Sequence, residues 1–401
     1  MQRELVEKRR WIGQSRFLHA LNFCMLLPGP EATQLAIYIG WLLHKTAGGI
    51  VAGVLFILPS VVILWALSFV YAAFGHVAWV SAIFYGFKPV VMAIVATAVL
   101  RIGKKALKNE TRWGMAVAAF VALYFFRAPF PLIILSAALI GLAGSKLWPG
   151  KFLSTGHGDT DSNDSVLGDS IDSPQHARPS FKRAIVLLLV FGILWFLPIA
   201  SVAFWRGGNA TLLHEGLFFS KAAVVTFGGA YAVLPYVAQR AVEHFAWLTP
   251  GQMMDGLGLA ETTPGPLIMV LQFVGFLAAW NHPQNLSPLV AGTLGALLTT
   301  WVTFTPCFLW VFLGAPHIEQ LRGNVRIHSA LSGVTAAVVG VIFNLAVWFA
   351  LQVIRPHPGT VDYTAIALGA AAFWGMIRWK LDIIPVVICG GIAGILVKAF
   401  T

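Results

Sequence analysis

Two Pro-Gly-Pro sequences interrupt long apolar stretches of the chain and are the first candidates for chemistry. They are Pro28-Gly29-Pro30 and Pro264-Gly265-Pro266. Proline removes a backbone donor and glycine frees the chain, so each sequence ends one helix and places a proline in the first turn of the next. The new helix starts with unpaired N–H groups and the positive end of its dipole, which together can bind an anion. A tight turn between two packed helices is the alternative.

Few polar side chains lie inside the apolar stretches, where each is costly enough to need a reason. The candidates for binding or translocation are Glu31, Gln34, Lys88, Glu261, Thr262, Thr263 and Gln272, and Gly228 and Gly229 indicate a further break. Glu31 directly follows the first Pro-Gly-Pro, where a carboxylate could cap the new helix or carry a coupling proton. Alternatively, Lys88 and Lys221 reach the membrane surface, and the glutamines and glycines serve helix packing.

The chain that carries these residues has too little charge to cover a water-soluble globule. Of its 401 residues, 58% are hydrophobic and 11% are charged, whereas soluble domains have roughly 25% charged residues. The net charge of +11 lies mostly between apolar runs, so the expected partner is the lipid bilayer and not nucleic acid. Because no nucleotide-binding, zinc-protease or paired-cysteine motif occurs, we expect no enzyme activity, no cofactor and no metal.

Apolar runs of helical length predict an all-α polytopic membrane protein with about ten to twelve spans. The continuous runs are 49–74, 77–100, 113–127, 131–147, 184–204, 217–238, 288–315, 328–353, 361–377 and 382–398, and the interrupted runs are 17–43 and 253–279. A polar acidic segment lies between two apolar halves. The predicted organisation is therefore an N-terminal half at 1–149, a cytoplasmic linker at 150–182 and a C-terminal half at 183–401.

Sequence landmarks of the first half recur in the second. Val6, Glu7, Trp11 and the Pro-Gly-Pro recur 236 positions later, and Pro59 and Gly86 recur 247 positions later as Pro306 and Gly333. Basic residues concentrate in the loop 101–112 and, in the second half, at Arg322 and Arg326 in a loop that is not its equivalent. The positive-inside rule then predicts an inverted repeat. The second half also has a leading Gly-Gly helix without a counterpart, so the first half is one span shorter or the sequence begins within a longer chain.

These stretches resemble the paired signatures of the chromate ion transporter family in its long, two-domain form. The first signature matches Arg3 to Glu7, Phe17 to Asn22, Met25 to Ala32 and Gln34 to Trp41, and the second matches Phe227 to Pro235 and Gly256 to Pro266. The resemblance covers nearly the whole chain except the linker. It implies a transporter of the bacterial inner membrane that exports chromate and confers chromate resistance, with sulfate as a related oxyanion and the proton gradient as energy source.

Other functions fit the residues without the resemblance. An importer of sulfate or another oxyanion, or a passive anion channel, would share the inward-pointing helix dipoles. The sequence fixes neither the transport direction nor the oligomeric state, for which a homodimer is one candidate. Our hypothesis for the site places a tetrahedral dianion between the two half-helix N-termini, with Lys88, Thr262 and Thr263 nearby.

Overall fold

The computed structural model describes residues 3–25, 27–147, 180–227, 229–317, 325–355 and 360–400, and in these ranges the chain is helical without β-strands. The predicted linker lies almost entirely outside the described residues, as does Gly228. The helices are α1 (Gln14–Cys24), α2 (Glu31–Phe74), α3 (Ala78–Ala106), α4 (Glu110–Tyr124), α5 (Phe130–Leu147), α6 (Phe181–Arg206), α7 (Thr211–Val225), α8 (Ala230–Gln239), α9 (Pro250–Thr262), α10 (Val270–Asn281), α11 (Pro288–Gly314), α12 (Val325–Ile354), α13 (Tyr363–Arg378) and α14 (Ile383–Phe400). The all-α fold class predicted from sequence is confirmed.

Six of the described helices are long and apolar enough to cross a membrane, namely α2, α3, α6, α11, α12 and α14. Their outer faces are apolar as well. In α6, for example, Leu189, Ile193 and Phe196 are each more than half exposed. Such a surface is unfavourable in water and is satisfied by lipid. The chain is therefore a multi-pass membrane protein.

The Pro-Gly-Pro sequences produce helices too short to cross the bilayer. In α2 the backbone leaves helical geometry at His44 and Lys45, which separates a first arm of 13 residues, 31–43, from a long second arm. At 1.5 Å per residue the first arm is about 20 Å long, against about 30 Å of hydrocarbon. A β-carbon added at Gly40 would meet the carbonyl oxygen of Gly48, which shows that the two arms fold back on each other. The first arm is thus a re-entrant half-helix.

The second half repeats this hairpin. After Pro266 a 3₁₀ turn leads into α10, which has 12 residues and packs against α11. A β-carbon at Gly275 would lie 2.9 Å from the carbonyl oxygen of Gly295, and Gly295 is the position 247 residues after Gly48. The same close backbone approach therefore holds both half-helices. The predicted division into two homologous halves agrees with this repetition.

The two halves interlock through another duplicated glycine contact. Gly86 of α3 packs against the backbone of Gly390 and Gly394 in α14, and Gly333 of α12 packs against Ala137 and Gly141 in α5. Gly86 and Gly333 are equivalent in the repeat, with an offset of 247. Their contact residues are equivalent as well, because Ala137 and Gly141 correspond to Gly390 and Gly394 with an offset of 253. Small residues allow this approach, in which backbone contacts replace side-chain packing. Each half therefore completes its helix packing with helices of the other half.

The interlock predicts a strong effect of substitution at Gly86. In Gly86→Leu the new side chain would overlap the backbone of α14, and we expect destabilisation by about 1–3 kcal/mol or more. The measurement is the thermal unfolding midpoint of the purified protein in detergent, which should fall by several degrees. Gly192→Ala in α6 is the control, since nothing lies within 4 Å of its added β-carbon. Equal midpoints for the two variants would contradict the interlock.

Candidate functional site

The first Pro-Gly-Pro loop is clamped between its own half-helix and the second half of the chain. Gly29 has a φ of +131°, and its N–H donates to the carbonyl oxygen of Thr226 at 2.7 Å. Gln34 Nε2 donates to the carbonyl oxygen of Pro28 at 2.8 Å. A β-carbon at Gly29 would lie 2.8 Å from both Gln34 Nε2 and Cys307 Sγ. Glycine is therefore required at this position both for the backbone angle and for the space.

The second loop rests on the first half in the corresponding way. Gly265 has a φ of +128°, and the Ser60 hydroxyl donates to the carbonyl oxygen of Pro264. Ser60 and Cys307 occupy equivalent repeat positions, 247 residues apart. Each loop thus packs on the same place of the other half's long helix. Gln272 supports this contact, because its Nε2 donates to the carbonyl oxygen of Val61 at 2.8 Å.

The break predicted at the two glycines is present, and it lies beside the first loop. Helix α7 ends at Val225 and α8 begins at Ala230, so the sequence run 217–238 is two short helices and not one continuous span. Gly229 has a φ of +91°, and the position of a β-carbon there would be 3.3 Å from Glu31 Oε1. The N-terminus of the α2 half-helix and the N-terminus of α8 therefore meet at the Glu31 carboxylate.

A second carboxylate approaches the start of α8. The Tyr231 hydroxyl donates to Glu261 Oε1, which brings the last turn of α9 to the first turn of α8. The positive charge of Arg101, near the end of α3, acts on Glu261 and Tyr231 as well. Helix N-termini attract negative charge, and here two carboxylates stand near them. Two helix N-termini and two carboxylates thus lie close together here.

The two threonines before the second loop do not point free hydroxyl hydrogens at an anion. Thr262 Oγ1 and Thr263 Oγ1 both donate to the carbonyl oxygen of Leu259, at 2.9 and 2.6 Å. These bonds close the C-terminal turn of α9, whose last carbonyl groups otherwise have no partner. Their role in the structure is to end the helix before Pro264.

Lys88 lies at the opposite end of α9 from these threonines. Its Nζ is 4.0 Å from Asp255 Oδ2 and 3.1 Å from the position of a β-carbon at Gly251. Eleven residues of helix separate Gly251 from Thr262, a distance of about 16 Å. Lys88 therefore belongs to a separate cluster, whereas Glu31, Gly229 and Glu261 come together. Lys221 is exposed on α7.

Sequence reasoning missed several buried or site-lining polar groups. They are Tyr71, Arg101, Glu215, Tyr231 and Asp255. Asp255 and Glu215 stand alone in apolar stretches, and this isolation was a usable signal because a charge there is costly. Tyr71, Tyr231 and Arg101 gave no such signal, since tyrosine is common in membrane helices and Arg101 starts a basic cluster typical of a loop.

Comparison with known proteins identifies relatives over most of the chain. The model of a family described as "Chromate transporter" matches residues 1–142 and 214–395. A protein named "Chromate transport protein" in Pseudomonas aeruginosa is 31% identical over 403 aligned residues, which cover 99% of this chain and 86% of that protein. A protein of the same name in Cupriavidus metallidurans is 28% identical, with 97% and 85% coverage. A "Probable chromate transport protein" of Synechococcus elongatus is 27% identical, with 89% and 80% coverage. No solved structure matches the chain.

The clamped loop predicts that Gly29→Ala disrupts more than backbone geometry. A positive φ costs alanine about 1–3 kcal/mol, and at Gly29 the methyl group also collides with Cys307 and Gln34. Gly207→Ala is the matched control, because Gly207 has a φ of +81° but nothing within 4 Å of an added β-carbon. We expect Gly29→Ala to lower the thermal unfolding midpoint clearly more than Gly207→Ala. A similar shift in both would mean that the loop is not tightly packed.

Proposed function

Because the chain belongs to the chromate transporter family, we propose that it exports chromate across the bacterial inner membrane, with the proton gradient as energy source, and so confers chromate resistance. The names of the curated relatives support chromate as the substrate. Sulfate is proposed as a competing substrate, because it is also a tetrahedral oxyanion with two negative charges. The duplicated re-entrant helices support a secondary transporter in which broken helices meet at the substrate site.

The observation that carries the proposal is the meeting of the α2 and α8 N-termini. Gly29 of the first half is hydrogen-bonded to Thr226 of the second, and Glu31 lies beside Gly229. The backbone N–H groups of two helix starts thus converge from both halves of the chain. An oxyanion has several acceptor oxygens and can bind two helix N-termini at once.

Acidic groups at this site support coupling to protons. A dianion close to ionised Glu31 would be repelled, so Glu31 would have to carry a proton or turn away while the anion is bound. Glu261 is already held by Tyr231 and attracted by Arg101. An arriving anion would compete with Glu261 for these two partners. Binding of the anion would then change the number of protons bound at the site.

The proposed transport is tested with inside-out membrane vesicles, in which export appears as chromate uptake. We expect accumulation above the outside concentration that is lost when an uncoupler collapses the proton gradient. Equilibration without accumulation would indicate a passive channel, and accumulation indifferent to the uncoupler would refute the energy source. In whole cells, expression should lower chromate accumulation and raise tolerance. Greater chromate sensitivity would indicate an importer instead.

The positive charge of Arg101 leads to a separate prediction. In Arg101→Gln the site loses a positive charge that attracts negative charge at Glu261 and Tyr231, and an exposed charge pair contributes about 0.5–1 kcal/mol. We expect the chromate KM in vesicles to rise about two- to fivefold. Lys105→Gln is the control, because Lys105 is an exposed cation at the same end of α3. Equal effects of both substitutions would assign Arg101 only to the general surface charge.

A further inference from the structure

A buried aspartate, a lysine and a tyrosine form a charged cluster away from the meeting point of the two helix N-termini. Lys88 Nζ is 4.0 Å from Asp255 Oδ2, and the Tyr71 hydroxyl donates to the same oxygen at 2.9 Å. The Asp255 side chain is 5% exposed and that of Lys88 is 34% exposed. Asp255 Oδ1 is buried and has no hydrogen-bond partner in the described part of the chain. The buried Asp255 carboxylate thus lies beside a lysine whose side chain is partly exposed.

The cluster is assembled from both halves and is rigidly packed. Tyr71 comes from the second arm of α2, Lys88 from α3 and Asp255 from α9. The Tyr71 ring packs edge-on against Phe84 and Phe273, with centroid distances of 4.7 and 5.3 Å. Lys88 and Tyr71 are the titratable groups of the described chain that act on Asp255, while α10 presents the uncharged Phe273. Lys88 and Tyr71 are therefore the two groups through which the surrounding helices contact the Asp255 carboxylate.

The repeat does not duplicate this charge pair. The position equivalent to Asp255 is His19, 236 residues earlier, and that equivalent to Lys88 is Thr335, 247 residues later. The Thr335 hydroxyl donates to Leu331 of its own helix at 2.8 Å. The equivalent positions of the repeat therefore hold no Asp–Lys pair. Because burying two charges is costly, a functional reason for the pair is favoured over a structural one.

Ionised Asp255 and an external dianion would compete for the same ammonium group. When Asp255 is ionised, Lys88 is its counter-ion, and separating them would leave a buried charge unpaired. When Asp255 takes up a proton from water, its negative charge disappears and the ammonium group is released. Lys88 then lies next to the start of α9, where the helix dipole also favours an anion.

We propose that Asp255 is a proton-binding site and Lys88 an oxyanion-binding station at the start of α9, linked so that a proton on Asp255 releases Lys88 for the anion. This inference rests on the proposed oxyanion transport and names one proton carrier for it. One proton binds to an Asp255 carboxylate oxygen as one dianion binds, and both leave before the ion pair forms again. A dianion that leaves with one proton carries a single net negative charge. The membrane potential, which is the electrical component of the proton gradient, therefore drives export, and the pH component opposes it.

The linkage is tested by sulfate binding to the purified full-length protein, because sulfate stays a dianion between about pH 6 and about pH 9. A single linked proton makes the apparent Kd rise about tenfold per pH unit above the pH at which Asp255 ionises. In Asp255→Asn, which has nearly the same shape, we expect the bound protons per sulfate to fall by one and the slope to flatten accordingly. Lys88→Gln should weaken binding about tenfold or more at low pH.

Asp362→Asn is the matched control, because Asp362 also accepts a hydrogen bond from a tyrosine, Tyr85, and asparagine can still cap α13. It should retain the wild-type slope and proton uptake. Proton uptake is measured independently with a pH indicator in weakly buffered solution after sulfate is added. An unchanged slope and unchanged uptake in Asp255→Asn, with chromate transport intact, would overturn the linkage and leave the proposed function standing. Failure of the wild-type protein to bind or move either oxyanion at any pH would overturn both.

Discussion

The breaks in the helices are the constraint on which the rest of the structure depends. A helix that ends inside a membrane leaves N–H and C=O groups without partners, and hydrocarbon offers none. This chain satisfies them with its other half: Gly29 bonds to Thr226, and Ser60 bonds to Pro264. The same contacts that satisfy the loops also bring the helix starts together. The anion site that we propose is therefore a consequence of the way in which the backbone groups at the breaks are paired.

The two loops are similar in form but not in their surroundings. The segment between α7 and α8 covers the first loop, so that Gly29 and Pro30 are buried, whereas Pro264 and Gly265 are exposed. The charged residues are distributed just as unevenly, since α9 carries Asp255 and Glu261 while the equivalent positions are His19 and Met25. The acids Asp255 and Glu261 of α9 thus have no counterpart at the equivalent positions of the first half. The repeat accounts for the packing, and the departures from the repeat account for the chemistry.

The elements that the sequence predicted well are those with a local cause. Proline and glycine fix the two loops and the break before α8, and the apolar runs fix the long helices. The pairing of side chains could not be derived, because it depends on how helices from opposite halves cross. Lys88 was expected near Thr262, but its partner is Asp255, and Glu261 meets Tyr231 instead. Likewise, the hydroxyls of Thr262 and Thr263 serve their own helix, which residue type alone does not reveal.

The exchange of helices between the halves has a consequence for the synthesis of the protein. Gly86 in α3 packs on Gly390 in α14, the last described helix, and α5 packs on α12. When the ribosome has completed only the first half, the glycine faces of α3 and α5 have no partner and are exposed to lipid. Final assembly must wait until the C-terminal helix has entered the membrane. Removal of α14 would thus leave the glycine face of α3, which is synthesised first, without its packing partner. The unpaired surface recognised by cellular quality control would then lie in the N-terminal half.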